Sequence, residues 1–190
     1  MASSEVDICN SALIHLGAGL ITSLGDNSDE ARACNQFFDG ARDAVLTQSD
    51  WTFATTQQEL SKQVATPLFG YAYQYKLPTN PYCLKPLFMS SPENDDDWKV
   101  QGRLLLTDRD GVYLQYIYRQ TDVSAFTPLF TVCLEYFLAH RMAYTLTGSR
   151  SVATDMYELF LAALADAASV DAQTGYPEDF DAESLIDARA

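Results

Sequence analysis

Positive charge and reactive side chains are what this 190-residue sequence has least of: 12 Lys and Arg stand against 26 Asp and Glu, with only two histidines and four cysteines. The resulting net charge of −14 repels phosphate, which argues against sequence-specific nucleic-acid binding and against adsorption to anionic membranes. An acidic wall can still surround DNA without gripping it, but acidity also serves plain solubility, and charge alone favours that reading. Cys9, Cys34, Cys83 and Cys133 lie far apart and form no C-x-x-C pair, the pattern of reduced, mostly buried thiols. Long apolar runs are also missing, and none approaches the roughly 18 residues of a bilayer span. The opening Met1-Ala2-Ser3-Ser4-Glu5 has neither a basic start nor an apolar stretch, which predicts no secretory signal and a protein made and kept in a cytosol.

Catalytic signatures are as scarce. His15 and His140 fall on predicted helices without a second ligand at metal spacing or a nucleophile in motif context, so both are expected to be structural. There is no G-x-S-x-G, Walker loop, H-E-x-x-H or G-x-G-x-x-G. Gly17-Ala18-Gly19 follows a helix instead of a strand and does not read as a dinucleotide loop. Asp95-Asp96-Asp97 lacks the ligand spacing and central glycine of a calcium loop, and Glu93 to Asp97 reads as a solvated turn. The expectation is a non-enzymatic protein with no metal and no cofactor.

What is present is a chain able to fold: 47% hydrophobic and 12% aromatic, with 11 Tyr beside 10 Phe and 2 Trp. Tyrosine suits strands and half-wet subunit contacts alike. Helical spacing of Cys9, Ala12, Leu13 and Leu16 predicts a first helix over about 4–16, capped by Ser3 or Ser4 and ended by Gly17. A second, over about 28–49, is capped by Asn27 or Ser28 and carries Ala31, Cys34, Phe38, Ala41 and Val45 on one face. From about 51 to 122 the period becomes two. Tyr71, Tyr73, Tyr75 and Leu77 would share a strand face, and Tyr82 to Met89, interrupted by Pro86, would be an edge or irregular strand. Val100 to Leu106 and Val112 to Tyr118 flank Asp108-Arg109-Asp110-Gly111, a hairpin signal. Trp51 and Phe53 read as aromatic anchors locking the second helix onto this β section. After Pro128 a helix over about 129–147, with Phe130, Phe137 and Leu138 among apolar residues on most of its circumference, should be central. Another spans about 151–170, with Val152, Met156, Leu159, Phe160, Ala163 and Ala167 inward. Residues 171–190 form an acidic tail with scattered anchors Tyr176, Pro177, Phe180, Leu185 and Ile186. Such a segment is either mobile or ordered by a partner.

The order of these features resembles the tail tubular protein A family, the head-to-tail adaptors of short-tailed phages. The likeness lies in Asn10-Ser11-Ala12-Leu13-Ile14-His15-Leu16-Gly17 with Ile21-Thr22-Ser23-Leu24, and then in the Ala/Cys helix from Glu30 to Leu46 closing on Trp51-Thr52-Phe53-Ala54. Tyr73-Gln74-Tyr75-Lys76-Leu77-Pro78, a β section and two long helices follow. It covers about residues 5 to 170 and departs from the family at Thr79-Asn80-Pro81-Tyr82-Cys83-Leu84, where members often carry an acid and then an arginine. The resemblance implies a mainly α (α+β) fold, a helical bundle with an inserted antiparallel β section and an extended acidic C-terminal tail. It further implies a dodecameric ring in the virion, between the portal protein and a tail nozzle protein of the tail tubular protein B kind. DNA would pass through the ring without specific binding, and the tail would reach onto the portal. Two other classes stay open on the residues alone: a monomeric acidic protein-binding module, and a small carboxylate-dependent hydrolase.

Overall fold

A computed structural model of the chain describes residues 4–90 and 97–174. Ser4 caps the first helix, α1 (Glu5–His15), in a capping box with Asp7. Gly17, at φ +66°, turns the chain out of it. Ser28 caps α2 (Asp29–Gln48), its hydroxyl accepting from the Ala31 N–H at 3.1 Å, while Asn27 instead accepts from the Arg32 guanidinium at 3.0 Å. Thr127 caps α3 (Pro128–Thr147), with Pro128 in the first turn where its missing N–H costs nothing. Gly148 ends α3 in the left-handed conformation, and α4 (Arg150–Thr174) follows. The four helices enclose one core, built on Ile8, Leu13, Phe38, Leu46, Leu138 and Phe160 among others.

Between α2 and α3 the chain forms six strands: β1 (Thr55–Leu60), β2 (Tyr73–Lys76), β3 (Cys83–Ser90), β4 (Trp98–Gln101), β5 (Leu104–Thr107) and β6 (Val112–Tyr118). They make two antiparallel three-stranded sheets, ordered β1-β6-β3 and β2-β5-β4. A second core lies between the sheets, with Tyr75, Leu77 and Leu105 from one and Val112, Leu114 and Tyr116 from the other. Alternation along β6 explains how the cores join: even-numbered side chains face the second sheet, while Ile117 reaches the helical core. The fold is therefore α+β, with the β section inserted where the change of period placed it.

Several expectations need correction. Asp108–Gly111 is not a hairpin. Gly111 does take a positive φ (+87°), but β5 pairs with β2 and β4 while β6 pairs with β1 and β3, so the turn carries the chain from one sheet to the other. Tyr75 fastens this crossover, its hydroxyl donating to the Arg109 carbonyl at 2.8 Å and accepting from the Gly111 N–H at 3.2 Å. The hairpin lies earlier, at Gly102-Arg103, with Gly102 at φ +62° and Gln101 opposite Leu104. Val100 to Leu106 is thus two strands, not one. Tyr71 lies outside β2, so the shared face begins at Tyr73. The polar strand β1, Thr-Thr-Gln-Gln-Glu-Leu, has no apolar alternation to mark it in the sequence; it is an edge strand anchored by Leu60. β3 is an edge, as Pro86 required, and its register with β6 shifts on both sides of that residue. Helix α4 extends past Val170 to Thr174, so Asp171 belongs to the helix and not to a tail. Leu159, expected inward, is 43% exposed, because Met156, Phe160, Ala163, Leu164 and Ala167 define the inner face and Leu159 projects to one side of it.

Polar contacts hold the β section to the helices. Asp43 of α2 takes Arg42 at 2.9 Å and Arg119, just beyond β6, at 2.7 Å. Arg119 and Arg103 lie over Tyr82, 4.4 and 4.2 Å from its ring centre. Arg103 also donates to the carbonyls of Cys83 (2.7 Å) and Pro78 (2.6 Å), so the turn after Leu77-Pro78 is held by an arginine of the β4–β5 hairpin. Lys85 of β3 reaches Asp50 at 2.6 Å.

Candidate interaction surfaces

The side chains most able to do chemistry are engaged in structure. His140 sits between Phe137 and Tyr157, with Nδ1 2.8 Å from the Ala153 carbonyl. His15 is exposed and lies against the Tyr136 ring, centroids 4.8 Å apart. Beside it, burial raises the Glu135 carboxyl above its ordinary range, and the Ser11 hydroxyl and His15 pull it partly back. This is a serine, a carboxyl and a histidine between α1 and α3, in which the serine hydroxyl acts on the carboxyl and the imidazole face lies against Tyr136. That arrangement does not make a nucleophile–base pair. All four cysteines are buried and unpaired. Cys34 donates to the Met142 sulfur at 3.7 Å, and the neighbouring Cys34 thiol together with burial drives the Cys9 thiol far up. Burial pushes Cys83 and Cys133 up to about 11. Among the described residues no three His, Cys, Asp or Glu side chains gather as a metal site, and no helix is long and apolar enough to cross a membrane.

The predicted anchors fall in one structural context. Trp51 is buried, its indole N–H donating to the Val45 carbonyl at 3.0 Å. Its ring meets Phe130 edge-on, centroids 5.1 Å apart, and Phe53 meets Phe130 at 5.0 Å and Phe126 at 6.0 Å. The pair therefore binds the end of α2 to the start of α3, pinning the points where the β section leaves the helices and returns. Phe38 is buried as expected, whereas Phe137 is half-buried, against Phe160 at 4.9 Å. The tail anchors Tyr176, Pro177, Phe180, Leu185 and Ile186, and the acids 93–96, lie outside the described residues.

Two apolar surfaces stand out. Loop 61–72, between β1 and β2, holds Val64 wholly in solvent and Leu68 and Phe69 98% and 86% exposed. Neither helical nor strand periodicity marks this segment. The signal it does carry is large apolar side chains flanked by Pro67 and Gly70, without a strand's alternation. Under the loop lies an open groove of about 600 Å³, lined by Leu68, Phe69, Tyr71, Lys99, Leu104 and Leu106. The second surface is the outward side of α4, where Leu161 and Leu159 (47% and 43% exposed) flank the exposed Ala162 and Ala165.

Charge is distributed as unevenly as the apolar surface. Residues 55–122 carry seven Lys and Arg and eight Asp and Glu, whereas 1–54 and 123–174 together carry four and thirteen. The acidity belongs to the helical body, and the β section is nearly neutral. Comparison of the sequence with protein-family models and with curated proteins finds no match.

Proposed function

We propose that this chain is a non-enzymatic structural adaptor of the tail tubular protein A kind, a ring subunit standing between portal and tail nozzle of a short-tailed phage. In that role, dodecameric by the resemblance, it surrounds the channel through which DNA leaves, and it is a component of the virion after synthesis in the host cytoplasm. The observation that carries the reading is the exposure of Val64, Leu68 and Phe69, together with that of Leu159 and Leu161 on α4. Large apolar side chains held in solvent serve contacts with other proteins. The order of helix, helix, β section, helix, helix agrees with the adaptor pattern, and an acidic helical body suits a wall that does not hold a polyanion.

Imaging and mass photometry of the full chain, alone and with its cognate portal, test this. Rings seated on the portal are expected, favoured by raised salt because protomers of charge −14 repel one another. A chain that remains monomeric beside the portal refutes the proposal. Docking of the portal is assigned to the acidic tail, so truncation after Thr174 leaves a folded protein with weakened portal binding, and Phe180→Ala shows part of that defect.

A further inference from the structure

We infer that residues 175–190, before they meet a portal, lie in the groove beside the end of α4 on their own chain. The docking segment is then held by its own subunit until the portal takes it over. The exchange for the portal rests on the adaptor reading above; the contact itself does not. Helix α4 ends at Thr174, and three residues earlier Asp171 accepts from the Thr52 N–H and hydroxyl, both at 3.0 Å. That tie fixes where the chain leaves the described residues. Asp50 and Thr52, which line a cleft together with Asp171, also form the head of an open groove of about 600 Å³. The groove runs onto the outer face of β1-β6-β3, where Gln57, Gln115 and Phe88 stand in register across the three strands with Leu87 beside them. Phe88 is 50% exposed there, an apolar patch among hydroxyls and amides.

Sequence and length suit the segment to this groove. Gly175 and Pro177 directly follow the helix, and these are the residues that end a helix and turn the chain aside. Tyr176 and Phe180 supply the rings. Phe180 is six residues past Thr174, a reach of up to about 20 Å, and Gln57 on the far wall is five residues from Thr52, at most about 18 Å away. Connection, not charge, selects the occupant: a segment tethered at the rim is present at an effective concentration on the order of millimolar, above that of a free partner. Charge sets how firmly it is held. Residues 175–190 carry five acids against Arg189, while the adjoining cleft offers Lys85, already paired with Asp50 at 2.6 Å. The contact is therefore apolar and releasable, and raised salt strengthens it.

The full chain carrying Phe88→Cys and Phe180→Cys tests the contact without a portal, since the four native cysteines are buried. Diamide takes up two electrons and the two thiol protons, becoming the hydrazine as the sulfurs bond. In dilute protein the expected product is a disulfide-linked monomer, lighter by two hydrogens. Val64→Cys with Phe180→Cys, one thiol lying outside the groove, should give none. Linked dimers in place of linked monomers overturn the own-chain occupant and give the groove to a neighbouring copy's segment. No link, or equal linkage to Val64→Cys, overturns the groove. With the cognate portal, the linked monomer should lose binding and regain it on reduction. Phe88→Asp, or Phe88→Ser where the acid disturbs β3, should keep the parental melting transition and bind the portal several-fold more tightly, because more segments are free. Binding no tighter than parental overturns the exchange. A linked monomer that forms while the reduced and parental chains bind no portal refutes the adaptor reading and leaves the contact standing.

Discussion

Replacing Trp51 separates two contributions that the structure assigns to one side chain. The indole is 1% exposed, meets Phe130 edge-on, and donates to the Val45 carbonyl. That carbonyl belongs to the last turn of α2, whose final four carbonyls have no partner within the helix, so Trp51 acts as its C-terminal cap from two residues past Ser49. Trp51→Phe keeps most of the ring packing and removes the donor, which should cost about 1–3 kcal/mol for a buried carbonyl left unmatched. Trp51→Ala also removes the ring and should cost about 3–5 kcal/mol for the cavity, with the lost hydrogen bond in addition. The larger change is a substantial part of the roughly 5–15 kcal/mol that holds an ordinary domain together. Urea melts followed by far-ultraviolet circular dichroism report the helices, and fluorescence of Trp98, the other tryptophan, reports β4. Because Trp51 pins both ends of the β section, Trp51→Ala should pull the two transitions apart while Trp51→Phe leaves them coincident. A parental midpoint for Trp51→Phe, or a loss below about 1 kcal/mol for Trp51→Ala, would refute this account.

Phe38→Ala should lose about 3–5 kcal/mol in the same assay, and Phe137→Ala distinctly less, because only the first ring is fully buried. Asp171 of α4 accepts from the Thr52 N–H and hydroxyl, both at 3.0 Å, so Asp171→Ala should cost about 1 kcal/mol and speed hydrogen exchange at the Thr52 amide. For Cys83 and Cys133 the ordinary thiol value of 9.0 rises to about 11 on burial. The native state therefore holds protons that the unfolded state releases: stability is full below about pH 9 and falls as pH rises through 11, by up to about 3 kcal/mol per thiol. Urea midpoints measured from pH 8 to 11 should show this decline, and Cys83→Ala should flatten it. His140→Gln should leave ring assembly intact apart from the packing lost against Phe137 and Tyr157, as imaging with the portal would report.

Local chemistry makes most of the helical part legible in the sequence itself. Ser4, Ser28, Pro128, Gly17 and Gly148 act within a turn of where they stand, so the starts of α1, α2 and α3 and the ends of α1 and α3 follow from neighbours in sequence. The face of α2 that carries Ala31, Cys34, Phe38, Ala41 and Val45 is buried as its spacing demands, since one helix has one stripe to hide. Tertiary structure alone decided which strand meets which. Asp-Gly at 110–111 specifies a positive φ and nothing about partners, and Gly-Arg at 102–103 supplies the same backbone freedom; pairing was set by which apolar faces, Leu105 and Tyr75 or Leu114 and Tyr116, could be buried together. The polar β1 is a strand because β6 has an edge to satisfy, and the end of α4 is tied at Asp171 to Thr52, 119 residues earlier, a contact that no local pattern announces. Exposure is decided in the same way. Val64, Leu68 and Phe69 are apolar in any context, but only the path of the chain around them leaves these side chains in solvent, since burial depends on the distant surfaces that fail to reach them.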